Sequence, residues 1–323
     1  MNILTRARRK ITNIYRTFIS FDAELIFHMV VNRIRYRNHL DFLKADRPYK
    51  FQFIRRHYAH LIEKCKQNPV SNKPNEGPIW VCWWQGEEQM PDIIRLCYAS
   101  LKKNAPSNRP LILLHSENYY KYADIPRYII DKFEKKVMSI IHFTDILRMT
   151  LLAKHGGLWI DASVFLSSKM PDSVFSHSYF SGKEPYDPRH LGSGQYTVFM
   201  LGAAAEAPWI VYGRDALFEY WKKSWKLLDY LLINYILMLA LDSIPTLKEE
   251  VMKGILDTPH INTIQNKRDE VCDSELFEKM ISECSFYKLS YKLVFRDTNE
   301  TGKLTYYGRL LNHSKQAHIP CHE

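Results

Sequence analysis

Residues 144–163 constrain this chain more than any other stretch: they read Thr-Asp-Ile-Leu-Arg-Met-Thr-Leu-Leu-Ala-Lys-His-Gly-Gly-Leu-Trp-Ile-Asp-Ala-Ser. The first twelve predict a helix, over about 144–155, that the two glycines stop. Leu158-Trp159-Ile160-Asp161 then predicts a buried strand ending in a carboxylate. Gly156 and Gly157 let the chain turn through left-handed backbone and leave room for close backbone approach. Asp145 and Arg148 stand three residues apart, so both leave the same helix face. Such a pair is ordinarily a solvated surface contact. Here, however, the helix feeds directly into the strand that presents Asp161. Ligands of open α/β sheets sit outside the carboxyl ends of strands. Asp145, Arg148 and Asp161 are therefore candidate site residues.

The order strand, helix, strand begins earlier, at residue 79. Ile79-Trp80-Val81-Cys82-Trp83-Trp84 is a short apolar run closed by Gln85-Gly86, and a helix is expected over about 90–104. Pro110-Leu111-Ile112-Leu113-Leu114-His115 reads as a second buried strand. This is the order of a βαβ unit with a parallel sheet. Further helices are expected over about 126–133 and 208–241, with short β-like pieces around 196–200. The last eighty residues mix helix with short strands. Residues 68–78 are dense in turn formers and read as a linker. It divides a helical, basic segment 1–77 from a main domain 78–323.

With 46% hydrophobic and 25% charged residues over 323 positions, the chain can bury a sizeable core. Its 20 tyrosines and 16 phenylalanines, against 12 glycines, exclude a low-complexity chain. No run approaches the roughly 18 uncharged apolar residues that crossing a membrane takes. Arg6, Arg8, Arg9, Lys10 and Arg16 interrupt the apolar run a secretory signal requires, so a cytoplasmic location is expected. The six cysteines (Cys65, Cys82, Cys97, Cys272, Cys284 and Cys321) form no CxxC pair and read as free thiols.

The net charge of +10 is concentrated at one end, since residues 1–50 hold eleven basic and four acidic residues. Leu4, Ala7, Ile11, Ile14, Tyr15 and Phe18 recur at helical spacing, with Arg6, Arg9, Lys10 and Arg16 largely opposite. That pattern suits either an anionic membrane surface met through residues 1–20 or a helix packed on the main domain. Nucleic acid is not an expected partner, because no zinc-finger or RNA-recognition signature is present.

Thr144-Asp145-Ile146-Leu147-Arg148, then seven residues, then Gly156-Gly157-Leu158-Trp159-Ile160-Asp161-Ala162-Ser163-Val164 resembles the capsular-polysaccharide-synthesis glycosyltransferases. These are bacterial relatives of the family-32 sugar transferases with a DXD motif. Residues 80–86 and 302–308 also resemble the family's first strand and C-terminal stretch, so the likeness spans roughly 78–312. It implies a GT-A, Rossmann-like α/β fold with a helical N-terminal extension and additional C-terminal helices. It also implies a retaining glycosyltransferase that takes a hexose or N-acetylhexosamine from a nucleoside-diphosphate sugar, with UDP-galactose favoured. The acceptor would be a lipid-linked glycan of capsule, O-antigen or exopolysaccharide synthesis at the inner membrane face.

By the same resemblance, Asp145, Arg148 and Asp161 are the catalytic set. Trp84, Gln85, Gly156, Gly157, Trp159, Asp161 and Ser163 are the donor-binding set, and Asp161 and Ser163 would hold Mn2+ or Mg2+. A hard divalent cation on carboxylate oxygens would neutralise the departing diphosphate, as would a nearby Lys or Arg such as Lys303. One position departs from the wider family-32 pattern: Ser163 stands where that pattern has a second Asp, in the Asp-Ala-Ser/Thr form that the resemblance gives for many capsule-type members. His313 and His318 are candidates to assist a weakened metal site. Ser163 also motivates an alternative, a catalytically silent scaffold that binds the sugar nucleotide. Lesser candidates are Glu87 and Glu88 as hydroxyl ligands and Trp83, Trp209, Trp221 and Trp225 as sugar platforms, against a plain role in packing. Asp229, Asn234 and Asn262 are candidates for acceptor or donor contacts.

Overall fold

The strand–helix–strand order that begins at residue 79 becomes the parallel half of a six-stranded sheet. A computed structural model of the chain describes residues 3–67, 74–192 and 194–316. β1 (Ile79–Cys82) runs parallel to β2 (Leu111–Leu114) on one side and β3 (Gly157–Ile160) on the other. The crossovers are α4 (Asp92–Asn104), then α5 (Arg127–Glu134) and α6 (Ile140–His155). β6 (Met200–Ala203) lies antiparallel between β3 and β5 (Tyr179–Lys183), and β7 (Ile255–Asp257) pairs in parallel with β5. The strand order is β2-β1-β3-β6-β5-β7, a mixed α/β sheet. A separate antiparallel ribbon joins β4 (Val164–Leu166) to β8 (Phe286–Lys288).

Strand alternation divides the interior into two cores. Trp80, Trp159 and Leu201 point to one face, packed beneath α6, α7 (Pro208–Lys223) and α8 (Leu232–Ser243). Ile79, Val81, Leu158, Ile160 and Met200 point to the other, beneath α4, the ribbon and the helix Ser274–Glu283. Helices on both faces explain why β1 to β3 read as continuous apolar runs. α6 begins four residues before the expected start and is buried on nearly all sides, because it is enclosed between the sheet and α7. The helix expected over 208–241 is broken by a loop at 224–231, and β6 begins at Met200 rather than occupying 196–200.

The N-terminal segment forms α1 (Ile3–Ser20), α2 (Ala23–Arg35) and α3 (His39–Lys66). Asp22 caps α2 by accepting from the Leu25 amide at 2.9 Å, and Asn38 caps α3. α3 continues through Pro48, and its Phe53, Ile54, Tyr58 and Ile62 share the core that contains Trp80 and Trp159. α1 behaves differently. Its apolar side is uncovered: Ile11 is 67% exposed and Phe18 66%. On α2, Ile34 is 78% exposed. Near its C-terminal end α1 is tied to the 224–231 loop, where Lys226 Nζ donates to Thr17 Oγ1 and the Trp225 amide to Ser20 Oγ. No helix of the described residues is long and apolar enough to cross a membrane.

Candidate functional site

The site forms because the chain folds back on itself at the two glycines. Arg148 lies seven residues before His155, about 10 Å of helix. Asp161 follows β3, about 13 Å of strand beyond the turn. Reversal therefore brings the two side chains together at the carboxyl edge of the sheet. Arg148 Nη2 donates to Asp161 Oδ1 at 3.3 Å, and Arg148 Nη1 stands 3.3 Å from Asp145 Oδ1. His142, one turn earlier, stands 3.7 Å from Asp145 Oδ2. The guanidinium lies over the Trp159 ring, whose Nε1 donates to Asp161 Oδ1 at 2.9 Å. Arg148 Nε and Nη1 are buried without a hydrogen-bond acceptor among the described residues.

The ribbon adds a residue that local sequence did not reveal. β8 places Lys288 opposite Val164, and Lys288 Nζ donates to Asp161 Oδ2 at 2.9 Å and Ser163 Oγ at 2.7 Å. Burial opposes ionisation of Asp161. The Lys288 and Arg148 charges, with the hydrogen bonds from Lys288 and Trp159, outweigh it and hold the carboxyl below its ordinary value. Cys82 ends β1 beside this cluster; burial first, then the Asp161 charge, push its thiol up to about 12. The thiol is therefore neutral and unsuited to nucleophilic work.

The donor set around Asp161 does not fit a divalent cation. Of its two candidate ligands, Ser163 is neutral, both oxygens of Asp161 already accept hydrogen bonds, and an ammonium bridges the pair. Among the described residues no group of three or more His, Cys, Asp or Glu side chains is placed to hold a metal.

A family model described as "Capsular polysaccharide synthesis protein" matches residues 32–310. The chain belongs to that family. The match starts within α2 and takes in all of α3, in keeping with the shared core. No curated protein matches the chain. Among solved structures, one titled "PaToxG Glycosyltransferase" is 14% identical, with 64% of this chain and 81% of that one covered and a TM-score of 0.34.

Other expected residues take different places. Gly156 and Gly157 stand at the opposite end of β3 from Asp161, with φ of 65° and 97°. A Cβ on Gly157 would lie 2.0 Å from the Pro78 carbonyl oxygen, and one on Gly156 2.7 Å from the Ala205 amide nitrogen. Both glycines serve the turn and its close packing. The Trp84 ring packs among Tyr119, Phe133 and Phe143, while Gln85 is exposed beside it. Trp83 instead meets Tyr291 edge-on at 5.4 Å, three residues beyond Lys288.

Lys303 lies in an exposed turn held by Asn299. Asp229 pairs with Lys50 at 2.7 Å, Asn234 donates to the Leu191 carbonyl and Asn262 to Glu184. Glu87 pairs with Lys102, and Glu88 is exposed. Trp209 and Trp221 are core residues, and Trp225 lies beneath the Lys132 ammonium. His313 packs against Phe277; His318 and Cys321 lie outside the described residues.

The loop at 224–231 brings in Tyr230, which meets His142 edge-on at 5.8 Å and is 61% exposed. Burial of its hydroxyl, then the Asp145 and Asp161 charges, raise its pKa. Tyr230 thus edges the charged cluster, and Tyr291 stands near enough to raise the Tyr230 pKa further. Each was hidden among twenty tyrosines without a local motif.

Proposed function

We propose that this protein is a retaining glycosyltransferase on a GT-A-type frame, moving a hexose or N-acetylhexosamine from a nucleoside-diphosphate sugar to a lipid-linked glycan. The observation that carries the reading is the network Asp145–Arg148–Asp161–Lys288 at the carboxyl edge of the sheet. Carboxylates accept from sugar hydroxyls, while the two cations face the diphosphate. UDP-galactose is the favoured donor. In the transfer, the bond from C1 to the β-phosphate oxygen breaks and the acceptor oxygen bonds to C1. The acceptor proton leaves on the phosphate oxygen. Arg148 and Lys288 stabilise charge on that oxygen while both keep their protons. Trp159 orients Asp161, and the exposed rings of Tyr230 and Tyr291 offer faces for a sugar or base.

Two features support a lipid-linked acceptor. A cleft of about 710 Å3 opens beside the first turn of α6, with Phe133, Met138, Ile140, His142, Trp221 and Leu227 on its walls. His142 also belongs to the charged cluster, so an apolar acceptor segment and the donor would meet there. The exposed apolar side of α1, with Arg and Lys opposite, fits an anionic bilayer at the inner membrane face.

The test uses the full chain and a panel of sugar nucleotides, read by thermal stabilisation and by nucleotide release with membrane extract. Stabilisation and release by one donor, lost in Asp161→Ala, are expected. Binding without release in every extract would favour the silent scaffold; neither binding nor release would overturn the donor site. Ile11→Glu with Phe18→Glu should abolish sedimentation with anionic vesicles while leaving donor binding intact.

A further inference from the structure

We propose that Lys288 takes the place of the divalent cation, so that this site binds and releases its diphosphate without a metal; the proposal rests on the donor-site reading above. Asp161 and Ser163 occupy the two positions between which a metal would be shared. Lys288 Nζ already stands between them, 2.9 Å from the carboxylate and 2.7 Å from the hydroxyl. A divalent ion on the same two oxygens would be within a few ångströms of an ammonium, a repulsion that a partly buried site magnifies.

The backbone fixes this placement. Lys288 is in register with Val164 on the β4–β8 ribbon, and the Leu289 amide donates to the Ser163 carbonyl at 2.8 Å. The ammonium also lies over the Phe199 ring at 4.9 Å, and Phe199 supplies the carbonyl that accepts from the Asp161 amide. The ribbon, the end of β3 and the start of β6 therefore converge on this one cation.

The charge balance accounts for Ser163. Two carboxylates, Asp145 and Asp161, are matched by two cations, Arg148 and Lys288. An aspartate at 163 would add a negative charge that a lysine site has no use for and that would repel the diphosphate. Ser163 instead accepts a hydrogen bond from Lys288 without adding charge. An ammonium has three N–H donors. Two are engaged here, which leaves one for an incoming phosphate oxygen. When the bond to C1 breaks, both bonding electrons stay on the β-phosphate oxygen, and that charge develops against Lys288 and Arg148.

Calorimetry on the full chain with UDP and with GDP, in EDTA and in Mn2+, tests this. The nucleotide that binds should do so with Kd values within about threefold in the two buffers. Lys288→Met should weaken binding by about 10- to 100-fold, Lys288→Arg should restore most of it, and Mn2+ should not rescue Lys288→Met. Ser163→Asp combined with Lys288→Ala rebuilds a two-carboxylate site and should make binding depend on Mn2+. Melting curves establish that each variant is folded, and the wild-type comparison of EDTA with Mn2+ decides the matter without any variant. Binding that requires Mn2+ in the wild type overturns the proposal and leaves the donor site standing. Absence of binding in both buffers overturns both.

Discussion

Two ion clusters in this protein are built alike and differ in what surrounds them. On α3, Asp46 and Lys50 form an i,i+4 pair at 3.5 Å, and Lys50 reaches Asp229 at 2.7 Å. On α6, Asp145 and Arg148 form an i,i+3 pair, and Arg148 reaches Asp161. In both, a helical acid–base pair recruits a distant aspartate. The first is closed: the side chains of Lys50, Asp46 and Asp229 are 6%, 1% and 11% exposed, and Asn32 donates to Asp46 at 2.9 Å. The second opens outward: Asp161 is 30% exposed and is joined by a second cation, Lys288, 20% exposed. A closed cluster fastens helices together; an open one with a spare donor can meet a ligand. The two approach each other in the 224–231 loop, where Asp229 serves the first and its neighbour Tyr230 edges the second.

The largest expected effect comes from breaking the closed cluster. Lys50→Ala leaves Asp46 and Asp229 buried without their cation and should cost about 3–5 kcal/mol of unfolding free energy in denaturant titrations. A cost below about 1 kcal/mol would show that water reaches this cluster and would erase the contrast. Arg148→Ala ranks next. It leaves Asp145 with only His142 beside it and should lower stability by about 2–3 kcal/mol, with nucleotide affinity falling by about 100-fold. Equal affinity in the folded variant would remove Arg148 from the donor site.

Lys288→Met sharpens the difference from the other side. The pair it breaks is partly solvated and Asp161 keeps Arg148, so the stability change should stay below about 1 kcal/mol although nucleotide binding weakens by about 10- to 100-fold. The smallest effect is in acid. The folded Asp161 carboxyl is held below its ordinary value, so its contribution to stability is complete above about pH 4. It is lost as pH falls through the lower folded value. Asp161→Asn should therefore unfold over a less steep acid transition than wild type, monitored by circular dichroism. Identical acid transitions would mean that the carboxyl gains no net stabilisation from its cations.

The readable parts of the sequence were those whose signals are local. The α6–Gly156–Gly157–β3 unit was visible because a helix stop, two glycines and an apolar strand follow one another within twenty residues. For the glycines the conformation was legible and the distance from Asp161 was not. Positive φ was foreseen, but the turn lies one strand length from Asp161. Lys288 was missed because it sits 125 residues from Ser163 on a three-residue strand, one of 45 basic residues. The serine where a second aspartate was expected drew attention to His313 and His318 instead. The acid–base pairs on α3 and α6 looked equivalent in sequence, since helical spacing records which side chains are neighbours and not what covers them.

The sequence by itself determined the β1–α4–β2 order, the reversal at Gly156–Gly157, the basic amphipathic α1 and the pairing of Asp145 with Arg148. Each follows from propensities and periodicities that act over a few turns or one strand. Only the tertiary structure decided that α3 joins the main core, that Lys288 bridges Asp161 and Ser163, and that Lys50 closes over Asp229. Those contacts join segments more than a hundred residues apart. Their energies depend on burial and sheet register, which exist only once the chain has packed.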